Sequence, residues 1–597
     1  MREQIQARLA ALRACMQKED VAIYLIFTSD FYQSEYIDAH FKFREYLSGF
    51  TGSAGTLLVE RDKAILWTDG RYVLQAKKEL DGTEIELYRM QEKGVPSLTE
   101  YLKANAKKGM CIGCDGRTIS TSFYQELLMI SERTGVFLKT KLDFAKEIWA
   151  DRPPVTKSEV YQLPVAIAGV LRAEKLRNLK MRIAQEDADA YLLSDLSSIM
   201  WLFNLRGSDI PYNPVAFSYA YISERQTVLF LNESCYSKEL EVQLQKDGVE
   251  IGFCEKIGQF AEGISGQKLL YDPESINAGL YGSIRDNNVM LKKQNTELVE
   301  KAVKNETEIS LSRDYHVQDA IAVLRFLMEI KERVKTGDVT EYEAARRIDA
   351  LRGRIRGFKE PSFETICAYG EHAAIVHYTA QPKKCAVLKP KGFLLLDSGG
   401  QYFGATTDIT RTIVLGELTQ EEKEHYTAVL KGLLHLSNAK FLEGCSGENL
   451  DILAREPVWR LGIDYRHGTG HGIGSFLNVH EGPQAFRYKI NREHPQPILR
   501  AGMITSDEPG IYIEGSHGIR LENELLCVEK EKTEWGNFLG FETLTLVPFE
   551  SEAILNERLN EEERTWLNVY HRNVYETLCP HLTDSEKTWL QDRTREF

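Results

Sequence analysis

At 597 residues the chain is too long for one hydrophobic core, and the usual size of domains points to about three to five units. A 43% apolar and 27% charged composition is that of a soluble globular protein, and a net charge of −14 argues against a nucleic-acid backbone as main partner, which needs a basic surface. No apolar stretch of about 20 residues offers a bilayer span, and MREQIQARLAALRACMQKED lacks the apolar h-region and small-residue cleavage site of a secretory signal.

In chain order, the first half carries an internal repeat. RLAALRACMQKEDVAIYLI begins at Arg8 and KLRNLKMRIAQEDADAYLL at Lys175. Leu9, Leu12, Glu19, Asp20, Tyr24 and Leu25 fall opposite Leu176, Leu179, Glu186, Asp187, Tyr191 and Leu192. Each copy reads as an amphipathic helix, a polar turn and an apolar strand. YLSGFTGS from Tyr46 echoes WLFNLRGS from Trp201, and strand–hairpin–strand patterns follow both. Two related α/β domains are expected, divided near the DRPP segment at Asp151, where two prolines break regular structure. Ten scattered cysteines suit a reducing cytoplasm, and Cys111 and Cys114 form a lone CxxC, read as a strand entering a turn rather than a redox or zinc site.

The second domain is expected to end between Lys301 and Asp314, where a long helical pattern opens a third unit. Helices are expected over 420–441 and 449–461, the latter kinked or shortened by Pro457. The tail has two helix starts, Asn560 to Glu563 and Thr583 to Glu586, each a capping residue with Glu three positions on. Trp566 and Trp589 follow them and are expected to dock on the third unit. The boundaries read 1–150, 151–312 and 313–597, with a helical extension from about 551.

Five residues of the third unit stand out: Asp397 in LLLDSG, Asp408 in TTDITRT, His471 in HGTGHGIG, Glu508 in TSDEPGIY and Glu522 in GIRLENE. Four carboxylates and one imidazole make an oxygen-rich set suited to hard divalent ions such as Mn²⁺. Two such ions about 3.5–4 Å apart can activate a water and polarise a carbonyl. Asp397 ends an apolar run and Asp408 opens the next strand, so two antiparallel strands joined by SGGQYFGA would bring them together. Arg520 and Glu522, two apart, would share one face of a strand. Glu508 ends a strand before the Pro509-Gly510 turn, and Gly470 and Gly472 let the backbone approach closely around His471. HGTGH has the spacing of a zinc helix without its glutamate, and its glycines disfavour helix. His377 and His480 fit equally a hydrogen-bonded core position or a donor to a developing oxyanion.

These motifs, with AIVHY, HEGP, FTGSAGT, WTDGRYVLQA, WLFNLRGSDIPYNPV and WLNVYH, resemble the pita-bread metallopeptidases, and most of all their three-domain aminopeptidase P branch. The resemblance covers nearly the whole chain. It implies an α/β (α+β) fold with two creatinase-like domains before a pita-bread catalytic domain, and removal of the first residue from peptides whose second residue is proline. It implies two metal ions, usually Mn²⁺, held by Asp397, Asp408, His471, Glu508 and Glu522, with Asp408 and Glu522 bridging. A hydroxide activated by both ions would attack the carbonyl before proline while Glu508 takes up the proton. His377 and His480 would hold the carbonyl and the tetrahedral intermediate. His467 would line the pocket, with Tyr512 nearby and Arg520 supporting the ligands, and Arg71 would reach the substrate from the N-terminal domain. A cytoplasmic homodimer is the family expectation. Prolidase, acting on Xaa-Pro dipeptides with the same ligands, is the alternative; a non-catalytic binding protein on this fold is disfavoured because all five ligands are present.

Overall fold

The computed structural model describes residues 2–90, 92–294, 297–490 and 495–597. The chain forms two compact units, Met1–Pro164 with Val170–Glu297, and Val165–Gly169 with Leu298–Phe597.

The N-terminal unit holds two copies of one design. In the first, helix α1 (Arg2–Lys18) covers strands β1 (Ile23–Phe27), β2 (Thr56–Glu60), β3 (Ala64–Thr68), β4 (Ile85–Arg89), β5 (Cys111–Gly113) and β6 (Phe137–Lys139), in sheet order β4-β3-β2-β1-β5-β6. In the second, α2 (Arg172–Gln185) precedes β7 (Ala190–Leu193), β8 (Ser218–Ser223), β9 (Thr227–Leu231), β10 (Glu250–Phe253), β11 (Lys268–Tyr271) and β12 (Val289–Lys292), in order β10-β9-β8-β7-β11-β12. Corresponding strand pairs have the same direction: β1–β2 and β7–β8 are antiparallel, β1–β5 and β7–β11 parallel. The repeated leucines Leu9, Leu12, Leu176 and Leu179 are buried, and the polar turns place Asp20 and Asp187 at φ 49° and 53°. That left-handed conformation is one that aspartate tolerates better than most residues. The two copies touch through helix starts and turns: Thr121 donates from its amide to Ile276 O at 2.9 Å, and Asn277 from its side chain to Phe31 O at 2.8 Å. Cys111 opens β5 and Cys114 follows it, both buried free thiols.

The C-terminal unit is built on α3 (Glu306–Arg333), opened by a capping box of Asn305 and Glu308. The helix starts at Glu306, so the expected boundary at 312/313 falls inside it. An antiparallel sheet has β14 (Phe393–Ser398) between β13 (Ile366–Tyr369) and β15 (Ile409–Val414). Leu394 and Leu396 face Val323, Leu327 and Ile330 of α3; Phe393 points the other way, into a core with Tyr426 and Val429 of α4 (Gln420–Ser437). This alternation is the period-two pattern of a strand buried on both faces. A second sheet pairs β16 (Ile504–Asp507) with β19 (Asn523–Thr533), and β19 with β20 (Gly536–Thr543). Between them, β17 (Gly510–Ile513) and β18 (His517–Arg520) form a separate hairpin.

Several details depart from the pattern read in the sequence. SGGQYFGA is not a simple turn: Gly400–Tyr402 and Ala405–Thr406 pair with each other, and the former with Phe358–Pro361. Helix α5 (Gly447–Trp459) starts earlier, capped by Ser446 and Asn449, and continues through Pro457, which sits in its last turn. Arg520 and Glu522 do not share one strand, since β18 ends at Arg520 and β19 begins at Asn523. The tail helices α6 (Glu561–Leu578) and α7 (Asp584–Arg593) both have the expected capping boxes, and Trp566 and Trp589 pack against the cores of this unit.

Candidate metal centre

Asp397 sits near the end of β14, directly opposite Thr410 of β15. Asp408 precedes β15, and its amide donates to Glu524 Oε1 at 2.6 Å. Glu522 occupies the link between β18 and β19; its amide donates to Thr410 O at 3.0 Å, and Thr410 Oγ1 donates to its Oε2 at 2.8 Å. Glu508 follows β16, its amide bonded to Thr469 O at 2.7 Å. His471 comes from a short strand, Gly470–His471, with its amide on Ser506 Oγ at 3.0 Å. Only glycine fits beside it: a Cβ at Gly470 would stand 1.8 Å from Ser506 O, and one at Gly472 would stand 2.1 Å from Glu481 O.

The atoms converge. One ligand atom each from Asp408, His471 and Glu522 lie within 4.8 Å of one another. His471 Nδ1 is 3.1 Å from Gly472 O, which can only accept, so Nδ1 carries the hydrogen. The Nε2 lone pair is left toward Asp408 Oδ2 at 3.5 Å and Glu508 Oε1 at 3.6 Å. Burial raises the Asp408 carboxyl well above its ordinary value, with Glu522, Asp397, Glu508 and Glu524 adding repulsion. Glu522 is also raised, by burial and then by Glu508 and Asp397, against Thr410 and Arg520. Carboxylates this close cannot all ionise without cations to balance them. Two buried oxygens, Asp397 Oδ1 and Glu522 Oε1, have no hydrogen-bond partner among the described residues. Both the surplus charge and these orphaned acceptors fit hard divalent cations.

Around this cluster, Arg520 is fully buried. It donates from Nη2 to Asp397 Oδ2 at 2.5 Å, from Nη1 to Tyr512 OH at 2.8 Å and from Nε to Thr410 Oγ1 at 3.2 Å. His467 Nδ1 faces Gly468 O at 2.7 Å, so its Nε2 accepts from Tyr512 OH at 2.8 Å. Burial pushes the Tyr512 phenol up to about 12. The His480 ring meets the His471 ring edge to face at 4.3 Å. His377 lies in the turn after Val376, whose carbonyl is 3.4 Å from Arg520 Nη2. Arg71 belongs to the N-terminal unit, where Asp69 accepts from its Nε at 3.0 Å and its Nη2 at 2.8 Å.

Sequence reading passed over the supporting residues. Glu524 and His316 stand behind Asp408, and Arg411 Nη1 donates to Glu522 O at 2.5 Å. The spacing Glu522-Asn523-Glu524 was the available signal, since a second buried carboxylate two positions from a ligand needs a partner.

A carboxylate-rich pocket with one imidazole, carried on antiparallel sheets, is the centre of a metallohydrolase. Comparison with known proteins narrows this. The profile of metallopeptidase family M24 matches residues 313–529, that of a C-terminal region of M24 peptidases 537–597, and creatinase/prolidase N-terminal domains match 8–134 and 151–308. Xaa-Pro aminopeptidase 1 of Dictyostelium discoideum is 36% identical over 99% of this chain and 96% of its own. A probable Xaa-Pro aminopeptidase P of Botryotinia fuckeliana is 38% identical over 98% and 92%. The solved X-prolyl aminopeptidase of Caenorhabditis elegans, described as a cytosolic enzyme with a di-nuclear active site, superposes with a TM-score of 0.94 at 31% identity, covering 99% of this chain and all of that one. The chain belongs to metallopeptidase family M24, in its aminopeptidase P group.

Proposed function

We propose that this protein releases the first residue from peptides whose second residue is proline. The observation that carries the reading is the convergence of Asp408, His471 and Glu522 within 4.8 Å, in a chain matched end to end by Xaa-Pro aminopeptidases. In this reading Asp397, Asp408, His471, Glu508 and Glu522 hold two divalent cations, Mn²⁺ by the hardness of the donors. When bound, these supply Lewis acidity and lower the pKa of a water.

The side chains do the rest. Glu508, 3.6 Å from His471, orients the attacking water and takes its proton. His480, packed on His471, and His377, next to the carbonyl that Arg520 touches, donate to the oxygen on which negative charge develops. His467 and Tyr512 form a hydrogen-bonded wall of the substrate pocket, and Arg520 fixes Asp397. Proline suits such a site because its imide has no N–H and a fixed φ, so recognition rests on ring shape rather than on an extended backbone ladder. The reading extends to a cytoplasmic homodimer of three-part chains, two creatinase-like domains preceding the catalytic one. No described helix is long and apolar enough to cross a membrane.

A second reading is supported by the solved Xaa-Pro dipeptidase of Bacillus anthracis, 26% identical with a TM-score of 0.50 over 64% of this chain. Mn²⁺-loaded protein is tested on Arg-Pro-Pro, Arg-Pro and Met-Ala-Ser, with Asp408→Ala as control. Arginine released from the tripeptide, and lost in the variant, is the expected result. Cleavage of Arg-Pro alone moves the assignment to a dipeptidase, and no turnover with metal bound overturns both.

A further inference from the structure

Behind the ligand cluster lies a fifth carboxylate. Glu524 is completely buried on β19, opposite Ser506 of β16. Its Oε1 accepts the Asp408 amide at 2.6 Å, and its own amide donates to Thr545 Oγ1 at 2.8 Å. Its Oε2 lies 3.2 Å from His316 Nε2, on α3. His316 Nδ1 is 2.7 Å from Ser312 O, an acceptor only, so Nδ1 carries a hydrogen. The two atoms stand at ion-pair distance without the alignment of a hydrogen bond.

The same helix grips this stretch a second time. Asp319, one turn beyond His316, pairs with Arg352 at 2.7 and 3.0 Å and accepts from the Thr407 hydroxyl at 3.1 Å. Residues 407 and 408 are thus held from α3 along two routes, by Asp319 through Thr407 and by His316 through Glu524. The gap between the routes, lined by His316, Asp319, Thr407, Asp408 and Thr545, has room for about one water.

We infer that Glu524, itself held by His316, is a positioning residue that fixes Asp408 for metal binding through its backbone amide. A purely structural role accounts for less. A buried carboxylate beside others works against the metal-free fold, and an apolar side chain of similar size would fill the same space without that cost. A carboxylate acceptor does something an apolar group cannot: it makes a charge-assisted bond to the peptide that carries the ligand.

The inference rests on the two-cation reading, and the experiment separates the two. Metal-stripped wild type, Glu524→Gln and Glu524→Leu are titrated with Mn²⁺ by calorimetry, and kcat and KM are measured on Arg-Pro-Pro. Glutamine keeps an oxygen for the Asp408 amide; leucine does not. Glu524→Leu is expected to bind at least one ion about 10–100-fold more weakly, as partners behind metal ligands generally do. Glu524→Gln is expected to stay within about 5-fold of wild type, with KM unchanged in both, because the hydrogen bond and not the substrate pocket is altered. Glu524→Val, smaller and suited to a strand interior, carries the same test if leucine does not fold. Wild type binding fewer than two ions overturns the two-cation reading. Wild type binding two, with Glu524→Leu matching it or Glu524→Gln failing equally, overturns the role of Glu524 alone.

Discussion

Arg520 and Asp397 form a buried ion pair, Nη2 to Oδ2 at 2.5 Å, in which one guanidinium also reaches Tyr512 and Thr410. The fork shape does what an ammonium cannot, since three acceptors in different directions are satisfied at once. Arg520→Lys keeps the charge and loses the geometry, so kcat/KM is expected to fall about 10–100-fold, like other losses behind metal ligands. Arg520→Leu leaves Asp397 unpaired and is expected to cost the metal-free protein about 3–5 kcal/mol. Urea unfolding in EDTA reads this, and an unchanged midpoint would mean that the pair adds nothing to the fold.

The raised carboxyls make the metal-free protein sensitive to pH in a defined direction. Asp408 and Glu522 bind protons more tightly when folded than at their unfolded values of about 4. The folded state therefore holds more protons above about pH 4, and stability is lost as pH rises from there toward the raised values. Asp507, raised by burial, and Glu550, raised by burial to about 7, act in the same sense. In EDTA the urea midpoint of wild type should fall between pH 5 and 8 more steeply than that of Asp408→Asn, and saturating Mn²⁺ should remove that fall in wild type. Parallel profiles for the two proteins would refute the mutual repulsion.

Local patterns were legible where one short stretch decides the outcome. The leucines and the Glu-Asp turns fixed the two-copy design, because helix face and turn conformation are set within about ten residues of chain. The capping boxes at Asn560 and Thr583 were legible for the same reason. The candidate ligands Asp397 and Asp408 could be placed at strand ends because one ends an apolar run and the other opens a strand pattern, and Glu508 because a Pro-Gly turn follows it. The relation of Arg520 to Glu522 was not legible. Spacing alone cannot show that the chain changes pairing partner between them, from the hairpin with β17 to the ladder with β16. His316 was not legible for a different reason: it lies far from Glu524 in sequence and alone reads as an ordinary polar residue, whereas Glu524 was signalled only by its spacing from Glu522.

Gly470 offers a test of the close approach around His471. The Cβ of an alanine would stand 1.8 Å from Ser506 O, a backbone atom that cannot swing aside. Gly470→Ala must push the Gly470–His471 strand away from β16, and with it both His471 and the Thr469 carbonyl that holds Glu508. A loss of about 3 kcal/mol or more is expected, at the upper end for overpacking. Mn²⁺ affinity should fall with it. Wild-type stability and metal binding in this variant would show that the backbone here yields easily.

His571 brings a pH dependence of opposite sign from the C-terminal helix α6. It is fully buried, and its Nε2 accepts the Phe549 amide at 3.2 Å, so the ring is neutral with the hydrogen on Nδ1. Burial and then the Arg411 charge lower its pKa to about 3. The unfolded chain takes up a proton near pH 6.5 that the folded protein refuses, so stability is lost as pH falls from about 6.5 toward 3. His571→Gln keeps an acceptor for Phe549 and does not titrate. Relative to wild type it should gain about 1.4 kcal/mol per pH unit below 6.5, or about 2 kcal/mol at pH 5, with no pH-dependent difference above pH 7.5. The Arg411 charge that lowers His571 also reaches the candidate metal centre, where the guanidinium donates to Glu522 O at 2.5 Å, but the protonation at issue is that of the unfolded chain. The pH-dependent gain should therefore appear equally in EDTA and in Mn²⁺, because it belongs to the unfolded chain. A gain confined to the metal-free protein would place its origin in the carboxylate cluster and not in His571.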